Sequence, residues 1–205
     1  EQARLACLVL QWPYLGARAP LVQLVQSAAR QDFGTALEMA YDYLTTIRVS
    51  YAVAETAVHF LEHWLSGRLL DITSQKLTIS QAAEHLNVTV DMLRNWERNG
   101  LIVIPRQPSN QYRLYGAAEF ARLRVIRKLV QAGFSLMAIS HMLQQVGAGN
   151  TSSLRDALEL PRTESANEAI DIMGDHWLSS LQEVERRAQA IIEHITHLIE
   201  LVHSS

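Results

Sequence analysis

The sequence has little cysteine and no long apolar run. Cys7 is the single cysteine among 205 residues, which excludes a disulfide framework within the chain and any site built from several of its thiolates. A lone cysteine is most often a small core residue. The apolar runs at Leu5–Leu10 and Val103–Pro105 are much shorter than the about 20 residues that span a bilayer, and no signal-peptide pattern opens the chain. We therefore expect a folded, cytoplasmic protein with no membrane partner.

Motifs of enzyme active sites are missing as well. The sequence contains no Gly-rich phosphate loop, no nucleophile elbow, no HExxH and no plausible constellation of carboxylates. We therefore predict no catalytic residue, no cofactor and no enzymatic activity.

The charge is unevenly distributed along the chain. Residues 76–147 contain nine Lys and Arg against four acidic residues, whereas the remainder contains nine against seventeen. A basic segment between acidic flanks is typical of a nucleic-acid-binding unit inside a larger regulator. Chance clustering on a solvated surface is the alternative.

The N-terminal third is predicted to be helical. Val22–Arg30 has apolar residues at helical spacing behind Pro20, which suits a helix start, and Gln31–Gly34 looks like a break. A helix of roughly thirty residues follows, about 45 Å long, and ends at Gly67 before a polar linker, Asp71–Lys76. Its apolar or small positions alternate steps of three and four: 37, 40, 44, 47, 51, 54, 58, 61 and 65.

Two short helices joined by a three-residue turn are predicted next. Thr78 or Ser80 can cap a helix over Gln81–Leu86, and Thr89 can cap a second helix that ends near Asn99. This arrangement is a helix-turn-helix. The predicted core between the two helices consists of Ile79, Ala83, Leu86, Val88, Leu93 and Trp96.

A β wing is predicted after the second helix. Leu101–Ile104 is β-branched and stops at Pro105, and Tyr112–Tyr115 offers a return strand across the polar turn Gln107–Gln111. Two further helices are predicted over Ala117–Ala132 and Leu136–Val146.

The C-terminal helix has a narrow apolar stripe that favours a coiled coil. Its members again alternate steps of three and four: Leu181, Val184, Ala188, Ile191, Ile195, Leu198 and Val202. Such a stripe needs a partner, and a second copy of the chain is the simplest one. Packing onto the chain's own N-terminal helices is the alternative. An irregular stretch, from Gly147 to the residues around Pro161, precedes this helix.

The central segment resembles the MerR family of bacterial transcription regulators. The resemblance depends on 78-TISQAAEHLNVTVDMLRNWERNGLI-102, on Pro105-Arg106, on 112-YRLY-115 and on 133-GFSLMAI-139. It covers about a third of the chain. The sequence departs from the family at Asn95, where an aromatic residue is usual, and at Gln111, where glycine is usual. We expect Asn110 to take the positive φ of the wing turn instead.

The major-groove position of a recognition helix, together with this resemblance, predicts the residues that contact DNA. The N-terminal part of the second helix enters the groove and the wing lies over the neighbouring backbone. The predicted set is Thr89, Val90, Asp91, Arg94, Trp96, Arg98, Arg106, Tyr112 and Arg113. By resemblance, Arg94 and Trp96 match the recognition-helix arginine and aromatic residue, and Arg113 matches the wing arginine that contacts phosphate.

The resemblance also implies a mechanism. Family members are homodimers joined by a coiled coil after the DNA-binding module, and they twist promoters whose two polymerase elements are set too far apart. An effector changes the distortion, so that RNA polymerase is affected indirectly. The predicted dimerisation residues are the seven members of the C-terminal stripe.

We predict a mainly α fold in three parts: an N-terminal helical segment over residues 1–75, a winged helix-turn-helix over 76–147, and a linker with a C-terminal dimerisation coiled coil over 148–205. The first part is either a helical regulatory domain, which we prefer, or a degenerate upstream copy of the module. Trp64, His176 and Trp177 are candidates for an effector pocket.

Histidine pairs raise the question of a metal site. His59 with His63 and His194 with His197 have spacings that can bind one ion, but neither pair has a cysteine nearby. We therefore predict no metal site and disfavour cysteine-based metal sensing. The predicted function is a homodimeric, sequence-specific transcription regulator with promoter DNA as its partner. The alternative is an architectural DNA-binding protein or a protein-interaction adaptor with the same fold.

Overall fold

The computed structural model describes residues 1–11, 13–67, 76–150, 153–160 and 173–203. Within these ranges the chain is mainly helical, as predicted, and no helix is long and apolar enough to cross a bilayer. The helices are α1 (Gln2–Leu10), α2 (Arg18–Ala29), α3 (Phe33–Leu65), α4 (Ile79–Leu86), α5 (Val90–Arg98), α6 (Ala117–Gln131), α7 (Leu136–Gly147), α8 (Leu154–Ala157) and α9 (Trp177–His203), and a 3-10 turn, Met173–His176, precedes α9.

The described residues divide into two compact units. Residues 1–52 and those from 178 onward form the terminal unit, and residues between 53 and 177 form the central unit. The predicted linker Asp71–Lys76, apart from Lys76, and the stretch around Pro161 lie outside the described residues.

The terminal unit has a continuous apolar core. α1, which the sequence pattern did not predict, contributes Leu5 and Val9 to this core, whereas Cys7 on the same helix is exposed rather than buried. α2 and α3 are separated by a break at Gln31, where φ is 63°. The helix restarts at Phe33, because the Asp32 carboxylate accepts the Thr35 amide.

The apolar stripe of α9 is covered by the chain itself. Six of its seven members are at most 6% exposed, and only Val202 is largely exposed, at 48%. Ile191, Ile195 and Leu198 belong to the same core cluster as residues of α1, α2 and α3. Polar contacts continue the packing, since Arg48 pairs with Glu185 at 2.8 Å. The interpretation of the stripe as an open seam for a second copy is therefore corrected. A stripe with period 3.5 predicts that one face of the helix is buried against apolar residues, but not whether these belong to the same chain or to a second copy.

The core of α3 follows the predicted spacing. Ala40, Leu44 and Ile47 are buried within the terminal unit. Ala54, Val58 and Leu61 are buried within the central unit. The prediction of one long helix is confirmed.

The central unit joins its helices through a tight turn after α6. Gly133 has a φ of 101°. A β-carbon at this position would lie only 2.5 Å from the Trp177 ring. Trp177 donates its indole N–H to the Ala132 carbonyl at 2.6 Å. Ser135 caps α7 by accepting the Ala138 amide, and its own amide bonds the Gly174 carbonyl at 3.0 Å. The turn therefore packs against Trp177 and Gly174 of the same unit.

The predicted wing strands do not form within the described part of the chain. Two isolated antiparallel bridges stand in their place, Leu77 with Tyr115 and Arg106 with Arg113. At Leu101 the backbone bonds helical residues instead, because its amide donates to the Trp96 carbonyl and its carbonyl accepts from the Arg122 side chain. The segment 105–114, closed by the second bridge, is called the bridged loop below.

Candidate nucleic-acid interface

Local side-chain caps fix the two helices of the helix-turn-helix. Thr78 begins α4 with a reciprocal capping box, since the Gln81 side chain accepts the Thr78 amide at 2.9 Å. Asn87 ends α4 in the left-handed region, at φ 48°. Thr89 begins α5 by accepting the Met92 amide at 3.1 Å. The turn geometry is thus set by three residues that lie close together in the sequence.

A small core holds α5 against α4. Ala83, Leu86 and Leu93 are buried as predicted, together with Trp96 at 2% exposure, whereas Ile79 and Val88 are half-buried. Trp96 therefore belongs to the core and not to the DNA-contacting surface, which corrects its place in the predicted set. An indole at this position is worth more as a large buried side chain under the helix than as a surface group.

The outward face of α5 carries the charged residues of the prediction. Thr89, Asp91, Arg94 and Arg98 are exposed, and Val90 is half-buried. Arg94 donates to the Asp91 carboxylate at 3.0 Å, with side chains 54% and 86% exposed. An ion pair this exposed contributes little to stability. The Arg94 guanidinium is therefore able to exchange Asp91 for another acceptor.

Asn95 has a local role on the same helix. Its carbonyl and its side-chain oxygen both accept from the Asn99 amide group, at 2.8 and 3.1 Å. These bonds close the last turn of α5. The departure from the aromatic residue usual in the resembled family thus places a polar group at the helix end.

The bridged loop presents Arg106 and Tyr112 to solvent, and Tyr112 is 69% exposed. Gln111, not Asn110, takes the positive φ, at 60°, which corrects the prediction. The reason is local: the Asn110 side chain accepts the Tyr112 amide at 3.0 Å, while the Gln111 amide bonds the Gln107 carbonyl at 2.8 Å. Position 111 is also the one where the resembled family usually has glycine.

Arg113 is less exposed than Arg106 and Tyr112 of the same loop. Its guanidinium pairs with Glu97 of α5 at 2.7 Å, and the two side chains are 30% and 20% exposed. This pair connects the bridged loop to α5. Glu97 is a residue that the sequence prediction missed, because a pairing between residues distant in the sequence leaves no periodic signal.

Arg122 is a second missed residue. It donates to the Leu101 carbonyl at 2.8 Å, and burial lowers the pKa of its guanidinium. Tyr115, directly after the bridged loop, is buried. This burial raises the pKa of its phenol, and the negative charge of Glu97 raises it further. Both groups hold the base of the loop rather than face outward.

The candidates for metal or effector sites are dispersed. His59 contacts Glu62 at 3.0 Å, and His194 is buried against the Glu1 carbonyl at 3.0 Å. Across the described ranges, no group of three or more His, Cys, Asp or Glu is placed to hold a metal ion. Trp64 lines a cavity of about 320 Å³ beside Ile102 and Arg122. His176 lies 4.0 Å from the Glu159 carboxylate.

Comparison with known proteins gives the module its family. The MerR HTH family of regulatory proteins matches residues 77–146, the same segment that carries the exposed face of α5 and the bridged loop. These residues form a MerR-family helix-turn-helix domain. The resemblance predicted from the sequence motifs is confirmed.

Relatives of the MerR domain are named as regulators. The mercuric resistance operon regulatory protein of Pseudomonas fluorescens is 34% identical over 70 residues, which cover 34% of this chain and 49% of the relative. The protein of that name in Serratia marcescens matches with the same figures. A probable heavy metal-dependent transcriptional regulator of Haemophilus influenzae is 26% identical over 121 residues, 59% of this chain and 84% of the relative.

The extent of these matches differs between relatives. The chain spans about half the length of the mercuric resistance regulators that it matches. No solved structure matches the chain. The similarity of the MerR domain is to regulators, not to enzymes, in agreement with the sequence prediction.

Proposed function

We propose that the protein is a cytoplasmic transcription regulator of the MerR type that binds double-stranded promoter DNA through the central unit. The observation that carries the proposal is the exposed face of α5 inside a MerR domain, with Asp91, Arg94 and Arg98 projecting from a helix capped by Thr89. The N-terminal part of such a helix enters the major groove. The excess of basic residues over 76–147 supports the same partner.

Arg94 reads base edges in this proposal. It is paired with Asp91 in the free protein, and the planar guanidinium can instead make a bidentate contact with guanine. Because the exposed ion pair is weak, little is lost when DNA replaces the carboxylate. Arg98, one turn further along α5, and Thr89 at its start contact phosphate or base edges on either side.

The bridged loop lies over the adjacent backbone. Arg106 and Tyr112 are its exposed donors. Arg113 contributes in two ways: its pair with Glu97 orients the loop on α5, and its remaining N–H groups face the phosphate that the family resemblance assigns to this arginine. We thus propose that the loop serves as the wing of the domain.

Regulation requires a homodimer that distorts the promoter in response to a signal and so affects RNA polymerase indirectly. Six of the stripe residues are buried within one chain, so we place the dimer interface on other surfaces. Leu201 and Val202, at 42% and 48% exposure, are apolar residues at the open end of α9 and suit a second copy. The proposal includes no metal, because soft metals such as those in the relatives' names prefer several thiolates and this chain has one cysteine.

The test is selection of bound duplexes from a random pool at near-physiological salt, followed by affinity measurements with variants. We expect an inverted repeat. Arg94→Ala should cost about 1–3 kcal/mol on that site and relax one base position. Arg106→Ala should weaken binding to all duplexes and reduce the salt slope by about one. Arg4→Ala removes one positive charge from an exposed position of α1 and should change neither the affinity for duplexes nor the salt slope.

Other outcomes separate the alternatives. Binding without enrichment of any sequence favours an architectural protein, and equal losses for Arg94→Ala on selected and random duplexes remove the base-reading role. Absence of binding to every duplex favours a protein-interaction adaptor.

A further inference from the structure

The terminal unit contains an open cavity that the proposed DNA contacts do not use. It has a volume of about 290 Å³ and lies between α2, the loop that precedes α2, and α3. This volume is close to the lower end of the range of small-molecule sites. Its lining residues are Leu15, Gly16, Ala17, Pro20, Leu21, Leu24, Met39, Asp42, Tyr43 and Thr46.

The walls of the cavity are mainly apolar. Leu21 and Leu24 of α2 are 2% and 1% exposed and also belong to the core of the unit, so the inner wall is fixed. The loop side is held by a hydrogen bond from the Leu15 amide to the Tyr43 hydroxyl at 3.0 Å. Gly16 allows the loop to turn there, at φ 77°. The cavity is thus built from packed residues on both sides.

Among the lining residues that the structure describes, Asp42 is the only charged group. It is exposed, and within the described ranges its carboxylate makes no hydrogen bond or ion pair; the Thr46 hydroxyl bonds the Asp42 backbone carbonyl instead. An acidic group beside an apolar wall attracts a ligand with one positive charge and an apolar body.

The charge of Arg187, which acts on Tyr43, does not cancel this preference. The Arg187 charge acts to lower the pKa of Tyr43. Its guanidinium, however, donates to the backbone carbonyls of Gln11 and Pro13, and its side chain is only 9% exposed. Arg187 is not part of the lining. Tyr43 stays neutral, because burial raises the pKa of its phenol.

We propose that this cavity binds a lipophilic amine or related organic monocation, with the apolar body against Leu21 and Leu24 and the cationic group at Asp42. The ligand is a small one, of one or two rings, since the cavity is near the lower end of the range for small-molecule sites. All of its described lining residues belong to the terminal unit, and the inference does not rest on the proposed function.

The test compares three probes with the same ring body in titrations of the full chain without DNA. Naphthylethylamine should bind with one-to-one stoichiometry, ethylnaphthalene roughly threefold more weakly, as expected for a partly exposed ion pair, and naphthylacetate more weakly still. Calorimetry gives the affinities, and chemical-shift changes in α2 and α3 give the location.

Three variants locate the effect. Asp42→Asn should bring the amine and the neutral probe to equal affinity. Glu38→Gln removes one negative charge from an exposed position of the same helix outside the lining and should keep the preference. Thr46→Trp fills the exposed mouth of the cavity and should abolish binding of both probes, with circular dichroism showing that the helices are retained.

The proposal is overturned if no probe binds, if naphthylacetate binds as tightly as the amine, or if Asp42→Asn keeps the preference for the amine. Unchanged binding in Thr46→Trp is a fourth result that overturns it, because the probes would then bind elsewhere. Since the titration contains no DNA, none of these results bears on whether the central unit binds a promoter.

Discussion

Three helices of the central unit, α4, α5 and α7, begin at their own side-chain caps. Thr78, Thr89 and Ser135 each accept a backbone amide three residues ahead. In the terminal unit, α1 and α2 begin without a side-chain cap, and their positions depend on packing against α3 and α9. The starts of α4, α5 and α7 are thus fixed by contacts close in sequence. The starts of α1 and α2 depend instead on contacts between distant residues, and in the same unit Glu1 contacts His194, which is 193 positions away.

This difference matches the two proposals made for the units. A face proposed to read DNA must be rigid and must keep its charged groups outward, which local caps and a small core achieve. A pocket for an apolar ligand needs walls from several elements, and the terminal unit supplies these from α2 and α3. Breaking one contact of each kind tests how far the two units differ.

The largest effect is expected in the core beneath α5. Trp96→Ala removes a side chain that is 2% exposed and should lower the free energy of unfolding by about 3–5 kcal/mol. DNA binding should be lost with it, because α5 is no longer held against α4. Chemical denaturation and a duplex-binding assay on the same preparation measure both.

Tyr112→Ala is the matched control for an aromatic residue, because Tyr112 is 69% exposed. It should change stability by less than about 0.5 kcal/mol. A loss of similar size in both variants would contradict the assignment of Trp96 to the core.

The next effect concerns the stripe of α9. Ile195→Ala should lower the free energy of unfolding by about 2–5 kcal/mol, because Ile195 is fully buried among helices of the same chain. The loss should not depend on protein concentration. If Ile195 were buried between two copies, Ile195→Ala would also raise the fraction of monomer at a given concentration. Sedimentation of the variant and of the unsubstituted chain over the same dilution series separates the two cases.

What the sequence could predict follows the same division between the units. The caps at Thr78 and Thr89 and the spacing of α3 are local, so the helix-turn-helix and the long helix were foreseeable. The motifs around Arg94 identified the family for the same reason. Ile195 shows the limit, since its apolar period predicts burial but not the identity of the covering helices.

The residues that sequence reasoning missed all depend on distant partners. Glu97 acquires its role from Arg113 on the bridged loop, and Arg122 from the Leu101 carbonyl. The β-branched pattern of 101–104 predicted a strand, but the segment forms no strand and the Leu101 amide donates to the Trp96 carbonyl of α5. Propensity is a weak signal when tertiary contacts compete with it.

A smaller effect is expected at the turn after α6. Gly133→Ala places a β-carbon 2.5 Å from the Trp177 ring at φ 101°. The ring must move from its bond to the Ala132 carbonyl, so stability should fall by about 2–3 kcal/mol from overpacking and the positive φ together.

Gly149→Ala separates the two causes. Gly149 also has a positive φ, at 85°, but nothing lies within 4 Å of the position that a β-carbon would take there, so only about 1 kcal/mol should be lost. Equal losses in the two variants, measured by urea denaturation, would mean that the Trp177 contact contributes nothing.

The smallest effects test the caps themselves, in opposite directions. Thr78→Ala removes the capping box of α4 and should cost about 1 kcal/mol. Ala17→Ser adds a cap to α2, whose N-cap residue already has extended backbone at φ −77° and ψ 144°, and should gain about 0.5 kcal/mol or more. Both are measured by denaturation. The gain in the free energy of unfolding at Ala17 could equal the loss at Thr78. The backbone at the start of α2 would then accept a cap as well as that of α4 does, and only the sequence would omit it. No gain would mean that packing already fixes the start of α2 so firmly that a local bond adds nothing, and the contrast between the two units would then extend to their energetics.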